Sequence, residues 1–151
     1  MWRWIVGGIW LKVKDLIKRK PVVVRRASTL IEAARVMVKE NIGLLVVVDE
    51  KGEIPLGVIS ERDIIRAFAN NLPPNTSVWD VATKNPVTAA LEEDVGSAAT
   101  KIVNKKIRHL VVVDDVGKLA GVLSIRDLVA EKSTLRAIVS SYEYEPLAGG
   151  D

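Results

Sequence analysis

An internal duplication constrains the fold of this chain more than any other feature of its sequence. The run Leu-Val-Val-Val-Asp at residues 45–49 recurs at residues 110–114, an offset of 65. One residue is lost in the turn that follows, so residues 57–63 match residues 121–127 at an offset of 64. Two copies of one unit predict a pseudo-twofold architecture, because a solenoid needs at least three repeats.

Each copy predicts the element order β-α-β-β-α, and hence an α/β (α+β) fold. The first strand of the first copy is expected at residues 22–24. Thr29 followed by Glu32 is a capping-box pattern for a helix that reaches about Glu40. Asp94 takes the cap position in the second copy.

The remaining strands are predicted from β-branched residues. The second strands, at residues 44–48 and 110–113, are continuous apolar runs, which are typical of strands buried on both faces. Each third strand, at residues 57–59 and 121–123, leads directly into a helix through a serine.

Turn and linker residues divide the chain. Glycine turns at residues 50–52 and 115–117 connect strands within each copy, while two prolines in the linker end the preceding helix. The predicted division is a tryptophan-rich lead, a first repeat, a linker, a second repeat and a C-terminal tail, at residues 1–11, 12–70, 71–76, 77–133 and 134–151.

Composition excludes most catalytic and metal chemistry. Cysteine is absent and His109 is the single histidine, which removes thiol nucleophiles, disulfides and any site with two histidine ligands from one chain. Walker, Rossmann and Gly-x-Ser-x-Gly motifs are also missing from the sequence. We therefore expect a protein that is not an enzyme and requires no cofactor or metal. A cytoplasmic location is predicted, since a lack of cysteine is compatible with a reducing environment.

Basic residues are concentrated at the start of the chain. The formal net charge is +3, divided into +7 through Arg26 and −4 beyond it. This front end predicts a solvated surface, or binding to nucleic acid, acidic lipid or a phosphate-bearing ligand.

Three of the four tryptophans lie in residues 1–11, where we expect them to pack on the body or an interface, with an interfacial anchor as the alternative. Every apolar run is shorter than the roughly 20 residues of a membrane-spanning helix, so no membrane is predicted as a partner.

The pattern Ser-x-Arg-Asp occurs once per copy at a strand-to-helix junction and carries most of the chemical content. Ser60 and Ser124 stand at helix N-termini, where backbone amides form an anion site. The arginine donates to phosphate, and the aspartate can accept both hydrogen bonds from a ribose diol. The same spacing also describes a capping box, in which the aspartate turns back to its own backbone. Both interpretations stay open at this point.

On these motifs the chain resembles a tandem pair of CBS domains, named after cystathionine β-synthase, of the stand-alone archaeal or bacterial type. The resemblance covers about residues 12–132. It rests on the duplicated Pro-Val, Leu-Val-Val-Val-Asp and Gly-h-h-Ser-x-x-Asp segments, where h is apolar. It implies two repeats that pack sheet to sheet around a pseudo-twofold as one CBS-pair (Bateman) module. It also implies two clefts that bind adenosine nucleotides, and assembly into a homodimer.

The resemblance also implies a role for each motif residue. The aspartates would bind the ribose hydroxyls, the serines the sugar or phosphate, the Pro-Val backbone and isoleucines the adenine, and the arginines and His109 the phosphate. The nucleotide-binding residues implied in this way are Lys20, Pro21, Val22, Ile42, Ser60, Arg62, Asp63, Thr83, Asn85, Pro86, Val87, Ile107, Arg108, His109, Ser124, Arg126 and Asp127.

The two clefts are expected to differ. Residues 83–88 match the family's Thr-x-x-Pro-x-Thr opening, whereas residues 18–23 lack both hydroxyls. Gly43 stands where the second copy has Arg108. The cleft with the complete opening is expected to resemble an AMP site more closely. The other is expected to bind weakly, to prefer a more phosphorylated nucleotide because of its lysines, or to stay empty.

The site closer to an AMP site is expected around Thr83 and Asp127. The predicted function is a regulatory, energy-sensing module that binds AMP, with ADP or ATP as competitors. S-adenosylmethionine is less favoured, because the arginines favour phosphate. The expected partners are an adenosine nucleotide, a second copy and an unidentified regulated protein. The alternatives are a ligand-free dimerisation module, and nucleic-acid binding through the basic front end.

Overall fold

The computed structural model describes residues 11–130, and the tryptophan-rich lead and the predicted C-terminal tail fall outside these residues except for Leu11. The elements in chain order are α1 (Val13–Leu16), β1 (Val23–Arg25), α2 (Leu30–Glu40), β2 (Leu44–Val48), β3 (Pro55–Ser60), α3 (Glu61–Ala69), α4 (Val78–Val81), β4 (Thr83–Lys84), β5 (Thr88–Ala90), α5 (Val95–Lys105), β6 (His109–Val113), β7 (Leu119–Ser124) and α6 (Ile125–Ala130).

The two repeats form separate sheets with the same plan. In the first sheet the strand order is β1-β2-β3-β4, and in the second it is β5-β6-β7. The first strand of each repeat lies parallel to the second, which is antiparallel to the third. The predicted β-α-β-β-α order is therefore confirmed in both copies. The described residues also contain two four-residue helices, α1 and α4, and the short strand β4, which the sequence patterns did not predict.

The leading segments of the two repeats are exchanged. Helix α1 stands at the start of the first repeat but contacts the second, where the Val13 amide donates to the Glu93 carbonyl at 2.9 Å. Helix α4 precedes β5 but contacts the first repeat, where the Val78 amide donates to the Ser28 carbonyl at 2.8 Å. Strand β4 continues this exchange, because it pairs antiparallel with β3 of the first sheet. Each repeat therefore includes one segment that the sequence assigns to the other.

Three apolar clusters account for the packing. Each repeat has a core under its helices, and each of these cores is completed by the exchanged helix of the other repeat, through Val13 in one case and Val78 in the other. A third cluster, centred on Val46, Val48 and Val111, lies where the two sheets face each other. The strands β2 and β6 contribute to a helix-covered core on one face and to the third cluster on the other. This confirms the prediction that they are buried on both faces.

Local signals in the sequence correctly place most element ends. Thr29 caps α2 in a reciprocal capping box with Glu32, and Gly52 and Gly117 adopt positive φ in the turns between strands. Asp94 is at the N-cap of α5 as predicted, but its side chain makes no capping hydrogen bond. Among the helices within residues 11–130, none is long and apolar enough to cross a membrane.

Candidate functional site

A cleft of about 480 Å³ lies between the two repeats, at the end of β3 where α3 begins. Its volume falls in the range typical of small-molecule sites, about 300–1,000 Å³. The lining comes from both repeats and from the exchanged strand β4. The lining residues are Gly43, Leu44, Val58, Ser60, Glu61, Arg62, Asp63, Ile65, Thr83, Asn85, Pro86, Val87, Lys106, Ile107, Arg108, His109 and Val111.

Strand β4 decides which threonine and which aspartate share this cleft. Thr83 pairs with Val58 on β3, and β3 leads into α3, which carries Asp63. The expected site around Thr83 and Asp127 is therefore wrong, since the cleft combines Thr83 with Asp63. The physical reason is the exchange of leading segments, which places the opening of the second repeat on the sheet of the first.

The start of α3 is a complete capping box. The Asp63 carboxylate accepts hydrogen bonds from the Ser60 amide and the Ser60 hydroxyl through Oδ2, both at 2.8 Å. The Asp63 amide in turn donates to Ser60 Oγ at 3.2 Å. The other oxygen, Oδ1, lies 3.5 Å from Nη1 of Arg66, and the Asp63 side chain is 17% exposed. Oδ1 is therefore the atom that can accept a hydrogen bond from a ligand in the cleft.

The second repeat has the same capping geometry. Asp127 Oδ2 accepts from the Ser124 amide at 2.7 Å and from the Ser124 hydroxyl at 2.8 Å. The Asp127 amide donates to Ser124 Oγ at 3.2 Å. The capping interpretation of the Ser-x-Arg-Asp pattern is thus confirmed in both copies. Because a cap uses only one carboxylate oxygen, it leaves a second oxygen for a ligand.

The opposite wall of the cleft carries cations. Lys106 has the left-handed conformation that ends α5 (φ 52°), and Ile107, Arg108 and His109 follow it into β6. Lys106 and Arg108 are exposed, while His109 is half-buried. This wall combines an apolar side chain with two positive charges.

His109 is a half-buried titratable residue of the cleft. Its equivalent in the first repeat is Leu44, and both side chains line the same cleft. Burial lowers the pKa of His109 below its usual 6.5, and Arg108 and Arg126 lower it further, while Asp127 and Glu61 act in the opposite direction. The imidazole is therefore neutral at pH 7 in the unliganded protein, and a bound anion would favour its protonated form.

The segment between β4 and β5 closes the cleft with backbone. Asn85 adopts positive φ (53°), a conformation that asparagine tolerates better than most residues. Its amide donates to the Leu56 carbonyl at 3.2 Å, and the Val87 carbonyl accepts from the Val111 amide at 3.2 Å. Pro86 and Val87 therefore lie in a fixed position against the cleft. With Val58 and Val111 they form its apolar part.

The cleft contains ten of the predicted site residues. These are Ser60, Arg62, Asp63, Thr83, Asn85, Pro86, Val87, Ile107, Arg108 and His109. The other seven are absent from its lining and occupy the equivalent positions of the other repeat. These are Lys20, Pro21, Val22, Ile42, Ser124, Arg126 and Asp127.

Sequence reasoning missed other lining residues, among them Glu61, Lys106 and Ile65. Glu61 lies inside the recognised Ser-x-Arg-Asp pattern, so position alone could have identified it. Lys106 directly precedes the predicted Ile107. Ile65 follows from the helix period, because it lies one turn after Glu61.

Several cations of the basic front end already have partners within the chain. Nζ of Lys12 and Nζ of Lys14 lie 3.0 and 2.7 Å from the carboxylate of Glu92. Arg26 lies 3.8 Å from the carboxylate of Glu50. Arg25 donates to backbone carbonyls of the turn after β2. The described part of this segment is therefore less positive than its composition indicates.

The CBS domain family model matches the chain twice, over residues 13–70 and 74–133. The chain therefore belongs to the CBS domain family, and its two repeats form a CBS domain pair. The predicted resemblance and the pseudo-twofold pairing of repeats are both confirmed.

Two solved structures are similar in fold and sequence. One is a CBS domain protein from Pyrobaculum aerophilum complexed with AMP, with a TM-score of 0.82 and 37% identity, covering 86% of this chain and 99% of that chain. The other is a CBS domain pair in complex with 5′-methylthioadenosine and S-adenosyl-L-methionine. It has a TM-score of 0.75 and 30% identity, and covers 81% of this chain and 95% of that chain.

One curated relative is an enzyme of which only a part is similar. The L-aspartate semialdehyde sulfurtransferase of Methanocaldococcus jannaschii is 32% identical over 116 residues. These residues are 77% of this chain but only 22% of the enzyme. The similarity therefore concerns only a small part of that enzyme.

Proposed function

We propose that this CBS pair is an adenosine-nucleotide-binding regulatory module, and that AMP binds in the cleft between its repeats. The observation that carries the proposal is the convergence of Thr83, Asp63 and the cations of the opposite wall on one cleft. The AMP complex of the Pyrobaculum aerophilum protein supports it.

The cleft offers a partner for each part of the nucleotide. Adenine requires an apolar slot, which Val58, Val87 and Ile107 provide. A ribose diol requires a carboxylate acceptor, and Asp63 Oδ1 supplies it in the cleft that Thr83 also lines. A single phosphate requires a few positive charges, and Arg108 lies on the same wall as His109.

Regulation follows from the position of the cleft between repeats. A ligand that contacts both repeats favours the relative arrangement in which both sets of contacts form, to the extent of its differential affinity. The change in arrangement is then transmitted to a second copy of the chain or to a regulated protein. A cytoplasmic location remains a prediction.

Homodimerisation is part of the proposal. Ile65 and Phe68 on α3 are 67% and 47% exposed, and Val129, the equivalent of Ile65 on α6, is 46% exposed. Apolar side chains that recur at equivalent exposed positions are typical of surfaces that a second copy covers. Light scattering should therefore give a molecular mass of two chains. The variant Ile65→Glu should give the mass of one chain.

The direct test is calorimetric titration with adenosine, AMP, ADP and ATP, after removal of any nucleotide that copurifies. We expect AMP to bind at one site per chain with micromolar affinity. Thr83→Val should weaken AMP binding, whereas Thr100→Val, the same change at an exposed position of α5 outside the cleft lining, should not. At 100 times its dissociation constant, AMP should add about 2.7 kcal/mol to the free energy of unfolding. No heat and no thermal shift with any of the four would overturn the proposal.

A ligand-free dimerisation module is the second candidate. The observation that favours it is the capping geometry, because Asp63 and Asp127 already have structural partners. Dimer formation without any nucleotide binding would support this candidate. Binding that falls steeply with salt and is specific for nucleic acid would instead support the nucleic-acid alternative.

A further inference from the structure

Glu61 is the acidic group of the cleft that neither a cap nor an ion pair uses. It is the first residue of α3, it is exposed, and it lines the cleft beside Ser60. Within residues 11–130, no lysine or arginine nitrogen lies within 4.0 Å of its carboxylate. Its negative charge is therefore directed to whatever occupies the cleft.

Gly43 determines where this carboxylate lies. A Cβ atom built on Gly43 would be 3.3 Å from Cδ of Glu61 and 3.4 and 3.5 Å from its two carboxylate oxygens. The Glu61 amide also donates to the Gly43 carbonyl at 2.9 Å. The lack of a side chain at residue 43 thus allows the carboxylate to rest against the backbone just before β2, where both residues line the cleft.

The second repeat has the opposite charge arrangement. Arg108 stands at the position of Gly43, and Ile125 stands at the position of Glu61. The backbone hydrogen bond is the same, since the Ile125 amide donates to the Arg108 carbonyl at 2.9 Å. The duplication therefore keeps the local backbone but places an acidic residue at the first helical position in only one of the two repeats.

We propose that Glu61 determines the charge of the ligand that this cleft accepts, by disfavouring each phosphate beyond the first. The inference rests on the proposed function, because it presupposes an adenosine ligand in the cleft. Without this carboxylate, the positive end of the α3 dipole would attract a phosphate at this place. A carboxylate fixed at that place repels a polyphosphate and directs a single phosphate to the Arg108 wall. The same carboxylate attracts a cationic ligand such as a sulfonium.

The test is Glu61→Gln, which removes the charge and keeps the shape. Dissociation constants are measured for adenosine, AMP, ATP and S-adenosylmethionine at low salt. Relative to the unaltered chain, we expect no change for adenosine, about threefold tighter binding of AMP and about tenfold tighter binding of ATP. S-adenosylmethionine should bind about threefold more weakly, and all of these changes should shrink as salt is raised.

Glu40→Gln is the matched control, because Glu40 ends α2, is exposed and lies outside the cleft lining. It makes the same change in net charge and should leave all four dissociation constants unchanged. If AMP binds but Glu61→Gln changes the dissociation constants of all four ligands by the same factor, or changes none of them, the proposed role of Glu61 is disproved. The proposed function would then still stand. If no adenosine ligand binds the unaltered chain, the proposed function itself fails.

Discussion

The two repeats keep the apolar character of their core positions but differ in charge and polarity at several positions that face the cleft. Leu45 and Leu110 occupy the same buried position on β2 and β6. One residue earlier on the same strands, Leu44 is matched by His109 and both line the cleft. Core positions must meet the same packing demand in both copies, whereas cleft positions meet the demands of a ligand. This difference fits the proposal that the two halves of the module contact different parts of a ligand.

The largest expected effect is a difference in stability loss between alanine substitutions at two equivalent glycines, Gly57 and Gly121. A Cβ on Gly57 would lie 2.8 Å from the backbone oxygen of Thr83, whereas a Cβ on Gly121 would meet the Ile17 side chain at 2.6 Å. Backbone paired in a sheet cannot yield as a side chain can. Gly57→Ala should therefore lower the free energy of unfolding by about 3 kcal/mol and Gly121→Ala by about 1 kcal/mol.

Urea unfolding of both variants measures this difference. Gly57→Ala should also weaken AMP, because displacement of β4 moves Thr83. Equal stability losses in the two variants would show that β4 is held no more firmly than the Ile17 side chain.

An effect of intermediate size is expected at the two capping aspartates. Asp63→Ala and Asp127→Ala each remove the acceptor for a serine amide, so each should cost about 1 kcal/mol of stability. Only Asp63 lines the cleft with Thr83. Asp63→Ala removes the proposed hydrogen bonds to ribose and should therefore weaken AMP binding about tenfold more than Asp127→Ala does. Thermal unfolding and calorimetry on the same samples separate the two roles. If Asp127→Ala lost more AMP affinity than Asp63→Ala, AMP would bind at the site that contains Asp127 instead.

The smallest effect is expected at His109. Its folded-state pKa is lowered, mainly by burial, so the unfolded chain takes up a proton more readily than the folded chain. Stability should therefore fall as the pH drops from 7 through 6.5, and level off below the folded pKa. His109→Leu introduces the residue of the equivalent position, Leu44, and should flatten this part of the profile. Urea midpoints between pH 7.5 and 5.5 measure it, and an unchanged slope would assign the titration to another group.

The pH dependence of binding provides the complementary test. A bound phosphate favours the protonated imidazole, so AMP affinity should rise on acidification while adenosine affinity should not. Loss of this difference in His109→Leu would place the imidazole beside the phosphate.

Sequence signals predicted the helix caps and turns, which depend on nearby residues. They did not predict the elements through which the chain crosses from one repeat to the other. The capping boxes at Thr29 and Ser60, and the turn at Gly52, depend on residues within one turn of each other, so spacing sufficed. Strand β4 has two residues and pairs with a strand of the other repeat, which no periodicity reveals. Helices α1 and α4 have four residues each, too few to display a helical repeat.

That crossing also explains why the sequence analysis grouped Thr83 with the wrong aspartate. Thr83 and Asp127 belong to the same sequence repeat, so similarity alone groups them. Thr83 and Asp63 meet only because β4 joins the sheet of the first repeat. The list of site residues could be predicted in large part from the motifs, but their division between clefts required the topology.

The exchange of α1 and α4 means that neither repeat is a complete folding unit. A cut in the linker at residues 71–76 would leave one fragment that carries Val13 and another that carries Val78, and each of these fills a core of the other fragment. Such fragments should remain interlocked as a nicked complex. A single repeat expressed alone would have to complete its core by swapping its leading segment with an identical copy. The present chain has the form expected if two swapped subunits became joined by gene duplication and fusion.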